Sequence, residues 1–206
     1  GKSISEASTL VKDSMVLSKV ANLSSSDATS YLTAMQNGFH KTTEEVNGLV
    51  DSLTAIDLVS ATDAGGLAEA TSRVAATADL AGVSFDKLLG YEAAIGEASQ
   101  ESMSVIGNSM KTILTRMSSI KAGNLELIDE DGTTQTLSDV ELVLGNIGVQ
   151  LRDSANEFRD FDEVLDEIAA KWGNLSSVQQ SAVSQSIAGT YQANRFRLLM
   201  ENYDKA

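Results

Sequence analysis

The sequence predicts a mainly α-helical fold, a multi-helix domain of about ten short helices with a small β-hairpin insertion near residues 125–137. Apolar residues recur every three or four positions along most of the 206-residue chain, which is the period of an amphipathic helix. The chain has no proline and fifteen glycines, so its helices are expected to end at Gly, Asn, Ser or Asp. A chain of this length can bury a core without metals or cross-links.

The N-terminal part, residues 1–123, is predicted to consist of helices only. A first helix, whose apolar side includes Val11 and Val20, is followed by a polar segment at 24–27. Side-chain oxygens in that segment can accept the free amide protons at the start of a second helix. The Thr-Thr-Glu-Glu segment at 42–45 resembles a capping box and predicts a third helix directly after it.

Glycines delimit the next two predicted helices. Residues 62–66 break the chain before the fourth helix, and Gly82 ends that helix. A cap at Ser84 starts the fifth helix, which Gly90 and Gly96 are expected to interrupt. The fourth helix has a stripe of small residues that lets a neighbouring helix approach closely: Leu67, Ala70, Val74 and Ala78.

The sixth predicted helix, residues 102–122, has the most regular apolar stripe in the chain and is expected to be central to the core. Gly123 is placed to adopt the left-handed conformation after its end. Residues 124–160 are then predicted to form a small β-containing insertion. It comprises, in order, a hairpin with strands 125–128 and 133–137 around a turn at 129–132, a helix from a capping box at 138–141, and a weaker strand pair at 149–152 and 157–159.

The C-terminal part, residues 161–206, is predicted to be helical and to pack on the first part, so that the chain forms one continuous domain. Its first helix places Trp172 in the core. A second helix, with Val178 on its apolar side, ends at Gly189, and a last helix starts at Thr190. The chain begins without an initiator Met and its helical pattern continues to the last residues. We therefore expect a fragment of a longer protein.

The residue inventory predicts no catalytic site, no metal site and no cofactor. The chain has no cysteine and a single histidine, His40, which is expected to be a surface residue at a helix end. Residues 107–112 lack the second glycine that a phosphate-binding loop needs before its lysine. The acidic turn at 129–132 does not keep the ligand spacing of a calcium-binding loop. Acidic residues at 162–167 are expected to form the solvated face of a helix rather than a glycosidase pair.

The charge balance excludes a common class of partner. Twenty-nine acidic and fifteen basic residues give a formal net charge of −14. Such a field repels a phosphate backbone, whose binding depends on clustered Lys and Arg, so we expect no nucleic-acid binding by this segment. No apolar run approaches the roughly 20 residues needed to cross a bilayer, and no transmembrane segment is predicted.

Two helical segments rich in polar residues resemble a known family. They are residues 106–117 and 187–203, and residues 148–154 and 158–168 lie between them. In this order the segments resemble the core region of bacteriophage tail tape measure proteins, within the phage minor tail protein family. Tyr191 departs from the family pattern, in which an arginine is expected. The residues that match the family signature are Gly107, Asn108, Lys111, Thr112, Arg116, Gly189, Thr190, Arg195, Phe196, Asn202 and Tyr203.

The resemblance implies a structural component of a phage or prophage tail, with no enzymatic activity. In the family, such a protein contributes to tail assembly, limits the length of the tail and leaves the tail ahead of the genome. The implied partners are the tail tube, the tail assembly chaperones and the distal tail or tip proteins, and the implied homo-oligomer is a trimer or hexamer. The implied location is the virion tail, in the tube lumen or at the tip, and the host cytoplasm during assembly.

The signature residues are expected to pack two helices together or to contact a partner, with Arg195 bonding a helix end or a carboxylate. Because the predicted helices are short, this segment is expected to be a compact module rather than the extended helical ruler of such a protein. The alternative function is that of a cellular helical interaction or adaptor domain with no virion role.

Overall fold

The computed structural model describes residues 3–121, 126–128, 132, 134–154 and 157–206. Within these residues the chain forms nine α-helices and two antiparallel two-stranded sheets, and a 3-10 turn at Tyr203–Lys205 follows the last helix. The predicted mainly α-helical, multi-helix fold is confirmed. The helices are α1 (Ile4–Val20), α2 (Ser25–Gly38), α3 (Val46–Val59), α4 (Ala64–Ala81), α5 (Phe85–Ser99), α6 (Met103–Lys121), α7 (Leu137–Gly145), α8 (Phe161–Trp172) and α9 (Ser177–Glu201).

Side-chain caps start several of these helices at the predicted places. Ser24 Oγ accepts a hydrogen bond from the Asp27 amide at 3.0 Å before α2, and Ser84 Oγ accepts one from the Lys87 amide at 3.4 Å before α5. Each bond satisfies an amide that has no carbonyl partner within the helix. These starts are therefore decided by local chemistry.

Two predicted capping boxes differ from the structure. Glu45 Oε2 does accept from the Thr42 amide at 2.8 Å, but α3 begins only at Val46, after a turn. The box predicted at 138–141 is wrong. The observed box precedes α7 by reciprocal bonds between Thr136 and Asp139, of 3.2 and 2.8 Å, because the end of the preceding strand supplies the cap.

Several glycines pack helices together instead of breaking them. Gly65 and Gly66 lie in the first turn of α4, so the break predicted at 62–66 ends at the Asp63 cap. Gly90 and Gly96 do not interrupt α5, contrary to the prediction. A Cβ at Gly90 would lie 2.7 Å from the Ala206 carbonyl carbon, and one at Gly96 would lie 2.9 Å from the Met103 sulfur. Both glycines therefore allow other chain segments to approach α5.

Helix α4 lies between α2 and α6, with which it makes its most extensive contacts. A Cβ at Gly38 of α2 would lie 2.5 Å from the Ala75 Cβ, and a Cβ at Gly107 of α6 would lie 2.8 Å from the Ala70 Cα. Real Cβ atoms essentially never approach so closely. The small-residue stripe predicted for this helix therefore does receive a close neighbour.

The apolar stripe of α6 is buried throughout, which confirms that this helix is central to the core. Its buried members are Met103, Ile106, Met110, Ile113, Leu114, Met117 and Ile120. By contrast, Val11, Val20 and Val178 are exposed, at 54%, 41% and 76%, although they were predicted on apolar stripes. The faces that carry them receive no covering element among the described residues. Gly123 lies outside the described residues.

Two short strand pairs flank α7. Strands β1 (Glu126–Ile128) and β2 (Thr134–Thr136) form the predicted hairpin, with Leu127 opposite Gln135. Residues 129–131 of its predicted turn lie outside the described residues. Strands β3 (Arg152–Ser154) and β4 (Glu157–Phe158) form the second pair, in which β3 begins three residues later than predicted.

Helix α9 contains a break at the predicted boundary. Gly189 has φ 74° and ψ 172°, so the regular helix is interrupted there although the segments on both sides are helical. Buried hydrophobic residues from Leu10 to Met200 form a core cluster that includes members from the N-terminal, insertion and C-terminal parts. The division at 1–123, 124–160 and 161–206 stays a prediction. Among the described helices, none is long and apolar enough to cross a membrane.

The Gly107→Ala substitution is expected to destabilise the fold by about 1–3 kcal/mol, because the added methyl overlaps the backbone of α4. Urea unfolding monitored by circular dichroism would measure the change. Gly48→Ala in α3 is the matched control, since a Cβ there meets nothing within 4 Å. The free energy of unfolding of the control variant is expected to exceed that of the wild type by about 0.5–1 kcal/mol. Equal stability of the two variants would contradict the close contact between α4 and α6.

Candidate functional site

The signature residues lie on α6, on α9 and just after α9, and these two helices pack against each other. Gly107 lies at the crossing with α4. Asn108, Lys111 and Thr190 have exposed side chains, and Thr112 Oγ1 donates to the Asn108 carbonyl at 3.1 Å within α6. A partner contact by these exposed residues stays a prediction.

Arg116 binds the carbonyl groups at the break in α9. Its side chain is buried, and its Nε donates to the Ile187 carbonyl at 3.2 Å while Nη2 donates to the Ser186 carbonyl at 3.4 Å. Both carbonyls lie in the turn before Gly189, where the first half of the helix ends. Cations are favoured at such ends, which carry partial negative charge. Arg116 therefore bonds a helix end.

Gln135 of β2 connects the hairpin to the same cluster. Arg116 Nη2 donates to Gln135 Oε1 at 3.1 Å, and Gln135 Nε2 donates to Ser186 Oγ at 3.2 Å. Sequence reasoning missed Gln135. Its strand alternation was a usable signal, because Gln135 is the register partner of the buried Leu127 and so faces the protein.

Arg195 holds the second half of α9 against the loop that follows α5. Its Nε and Nη2 donate to the two Glu101 carboxylate oxygens at 2.7 and 2.6 Å, and Nη1 donates to Gln192 Oε1 at 2.8 Å. This paired geometry is the strongest form of ion pair. Hydrogen bonding to Arg195 lowers the pKa of Glu101 below its usual value. Of the two partners expected for Arg195, the structure shows the carboxylate.

Phe196 is buried against Trp172, with the ring centroids 6.2 Å apart in an edge-on arrangement. The prediction that Trp172 lies in the core is confirmed. Asn202 follows the end of α9, and its Nδ2 donates to the Leu198 carbonyl at 2.9 Å. These signature residues therefore pack or cap the second half of α9.

Tyr203 links the end of the chain to α5 and α8. Its hydroxyl donates to Asp166 Oδ1 at 2.6 Å and lies 2.9 Å from the Tyr91 hydroxyl. Lys87 Nζ donates to the same Asp166 oxygen at 2.6 Å. Burial and the bond to Asp166 raise the pKa of Tyr203. The acidic face of α8, predicted to be solvated, therefore includes an exposed carboxylate that also bonds two other elements.

Glu92 is a buried carboxyl group that sequence reasoning missed. Its side chain is fully buried, and Thr71 Oγ1 of α4 donates to its Oε2. Its Oε1 has no hydrogen-bond partner among the described residues. Burial raises the pKa of Glu92 from 4.5 to about 8. Its burial could have been predicted from its position on the apolar stripe of α5, four residues after Leu88 and three before Ile95.

The contacts of the buried signature side chains are internal ones that fasten helices together. His40 is exposed at the end of α2, with Nε2 3.5 Å from Asp79 Oδ2, as expected of a surface residue. No group of three or more His, Asp or Glu side chains in the described part of the chain is placed to hold a metal ion.

Glu92→Gln is expected to change how stability depends on pH. Below about pH 4.5 both the folded and the unfolded chain hold the proton, and the full stability is present. Between 4.5 and about 8 the unfolded chain loses the proton while the folded chain keeps it. Stability therefore falls with rising pH, by about 1.4 kcal/mol per unit for this proton.

Urea unfolding at pH 4.5 and pH 7.5 would test this dependence. Glu92→Gln and the wild type are expected to be similar at pH 4.5, and the variant is expected to be more stable at pH 7.5. Glu44→Gln, at an exposed position, serves as the control. A constant difference between Glu92→Gln and the wild type at both pH values would contradict the assignment.

Comparison with known protein families shows to which family this chain belongs. The family described as phage-related minor tail protein matches residues 1–189. The match ends at the break in α9, so Thr190, Arg195, Phe196, Asn202 and Tyr203 lie beyond it. No solved structure matches the chain significantly. Because the match covers most of the sequence, this chain belongs to the phage-related minor tail protein family.

Proposed function

We propose that this chain is a folded module of a tail tape measure protein, a structural component without enzymatic activity. It contributes to tail assembly and length determination, and it leaves the tail during genome ejection. The family match over residues 1–189 carries the proposal. The resemblance of residues 106–117 and 187–203 to tape measure proteins supports the finer assignment.

A compact body suits an anchor or contact module better than a ruler. A single helix of 206 residues would be about 300 Å long at about 1.5 Å per residue. Here Tyr91 and Tyr203 are hydrogen-bonded although 112 residues separate them. Length measurement then belongs to extended segments of such a protein, while this module holds one end in place.

The proposed partners are the tail tube, the tail assembly chaperones and the distal tail or tip proteins, with the module present as a trimer or hexamer. Its proposed location is the tube lumen or the tip of the virion tail, and the host cytoplasm during assembly. A formal charge of −14 supports a place beside DNA without binding to it, since phosphate contacts require Lys and Arg.

Passage through a narrow tube requires a fold that opens readily, and features of the core support this. Aromatic residues make up 5% of the chain, and large rings supply much of the burial in most cores. In the described part of the chain, buried Asp13 Oδ2, Glu92 Oε1 and Trp172 Nε1 have no hydrogen-bond partner. Each such atom costs about 1–3 kcal/mol.

The chain is therefore expected to unfold at a low denaturant concentration. Guanidinium unfolding, monitored by fluorescence of Trp172, would give the midpoint. A midpoint above about 5 M, which marks a hyperstable domain, would contradict passage by unfolding.

Mass spectrometry of purified tails would test the location. Peptides from residues 1–206 are expected in intact tails and are expected to be lost from tails that have ejected their genome. Peptides of the tail tube protein, retained in both samples, provide the control. Absence from intact tails would favour the cellular adaptor function, and retention after ejection would contradict release with the genome.

A further inference from the structure

The break in α9 depends on one residue conformation. Gly189 has φ 74° and ψ 172°, a region of backbone space that is essentially restricted to glycine. The segments on either side, ending at Ala188 and starting at Thr190, are helical and contain no proline. Apart from Gly189, nothing in the backbone of Ser177–Glu201 opposes one continuous helix.

The two halves of α9 both reach Trp172 at the end of α8, which shows how far the helix bends. Gln180 Nε2 donates to the Trp172 carbonyl at 3.0 Å, and Phe196 lies against the Trp172 ring. In a continuous helix, the sixteen residues from Gln180 to Phe196 would span about 24 Å. The segment that follows α9 also returns to α8, where the Tyr203 hydroxyl donates to Asp166 Oδ1. The packing of the second half therefore requires the break.

Arg116 is placed to stabilise the broken form. In a continuous helix, the Ser186 and Ile187 carbonyls would accept from the amides four residues later, which belong to Thr190 and Tyr191. In the broken helix, the Arg116 guanidinium donates to both carbonyls. Gln135 holds the same guanidinium and the Ser186 hydroxyl, so the hairpin supports the contact.

We propose that α9 is a two-state element whose broken form is favoured by the Arg116 and Gln135 contacts, and that loss of the Arg116 contacts shifts the equilibrium toward one continuous helix over Ser177–Glu201. The conversion returns Gly189 to helical dihedral angles. It also removes Phe196 and Tyr203 from α8 and frees β2 from α9. This device rests on the geometry at Gly189 and goes beyond the proposed function, since it holds whichever protein the module contacts.

Distance measurement between two spin labels would test the two states. The chain has no cysteine, so Val178→Cys and Glu201→Cys introduce unique labelling sites at exposed positions near the two ends of α9. A continuous helix would separate these residues by about 35 Å along its axis. The otherwise wild-type chain is expected to give a shorter distance, because the helix is bent.

Arg116→Met removes the donors and keeps an apolar side chain of similar length. It is expected to raise the ratio of long to short distances at least about ten-fold, because bonds to a charged group are lost from the broken form alone. Gly189→Ala is expected to act in the same direction, since alanine rarely adopts a φ of +74°. Arg73→Met, an exposed arginine paired with Glu69 in α4, is the matched control and is expected to change nothing.

Circular dichroism would establish that each variant is folded before its distances are compared. Should Arg116→Met fail to fold, the milder Gln135→Ala decides, with a smaller shift expected in the same direction. A folded Arg116→Met or Gly189→Ala variant with the wild-type distance distribution would overturn the proposal. So would an equal shift in Arg73→Met, because the effect would then not depend on the break.

Discussion

The backbone of α4 lies so close to α2 and α6 that the partner helices need glycine where they cross it. Gly38 faces Ala75 on one side, and Gly107 faces Ala70 on another. Small residues bury little area each, but close backbone contact brings many atom pairs to their optimal separation. The rest of the fold is built on these contacts, since α1 and α3 pack on α2, and α5 and α9 pack on α6.

Polar side chains then fasten both halves of α9, and the residues just after it, to this helical core. Arg116 bonds the end of the first half, Arg195 pairs with Glu101, and Tyr203 joins Asp166. These bonds lie on three different neighbours, so the direction of the second half is set by several contacts at once.

The chain belongs to the phage-related minor tail protein family, and its signature residues fall into a buried and an exposed group. The signature residues that are buried connect secondary-structure elements within the chain. Those that are exposed, including Asn108 and Lys111, lie on the outer side of α6 and are available to a partner.

Local rules were enough to predict much of this protein from its sequence. The stripe of α6, the caps at Ser24 and Ser84 and the break at Gly189 depend on residues within one or two helical turns, and the structure contains all of them. The signature segments were also recognisable without coordinates. The contacts that Arg116 makes were not, because they join residues about 70 positions apart.

Tertiary packing alone decided which faces are covered. Val178 belongs to an apolar pattern but is exposed, and Glu92 is charged in isolation but is buried beside Thr71. Glycine disfavours a helix by its intrinsic propensity, yet α5 continues through both Gly90 and Gly96. A side chain at either position would clash with a segment that packs against α5. Periodicity and capping are properties of a short segment, whereas burial depends on which other segment arrives, and that is settled only when the whole chain folds.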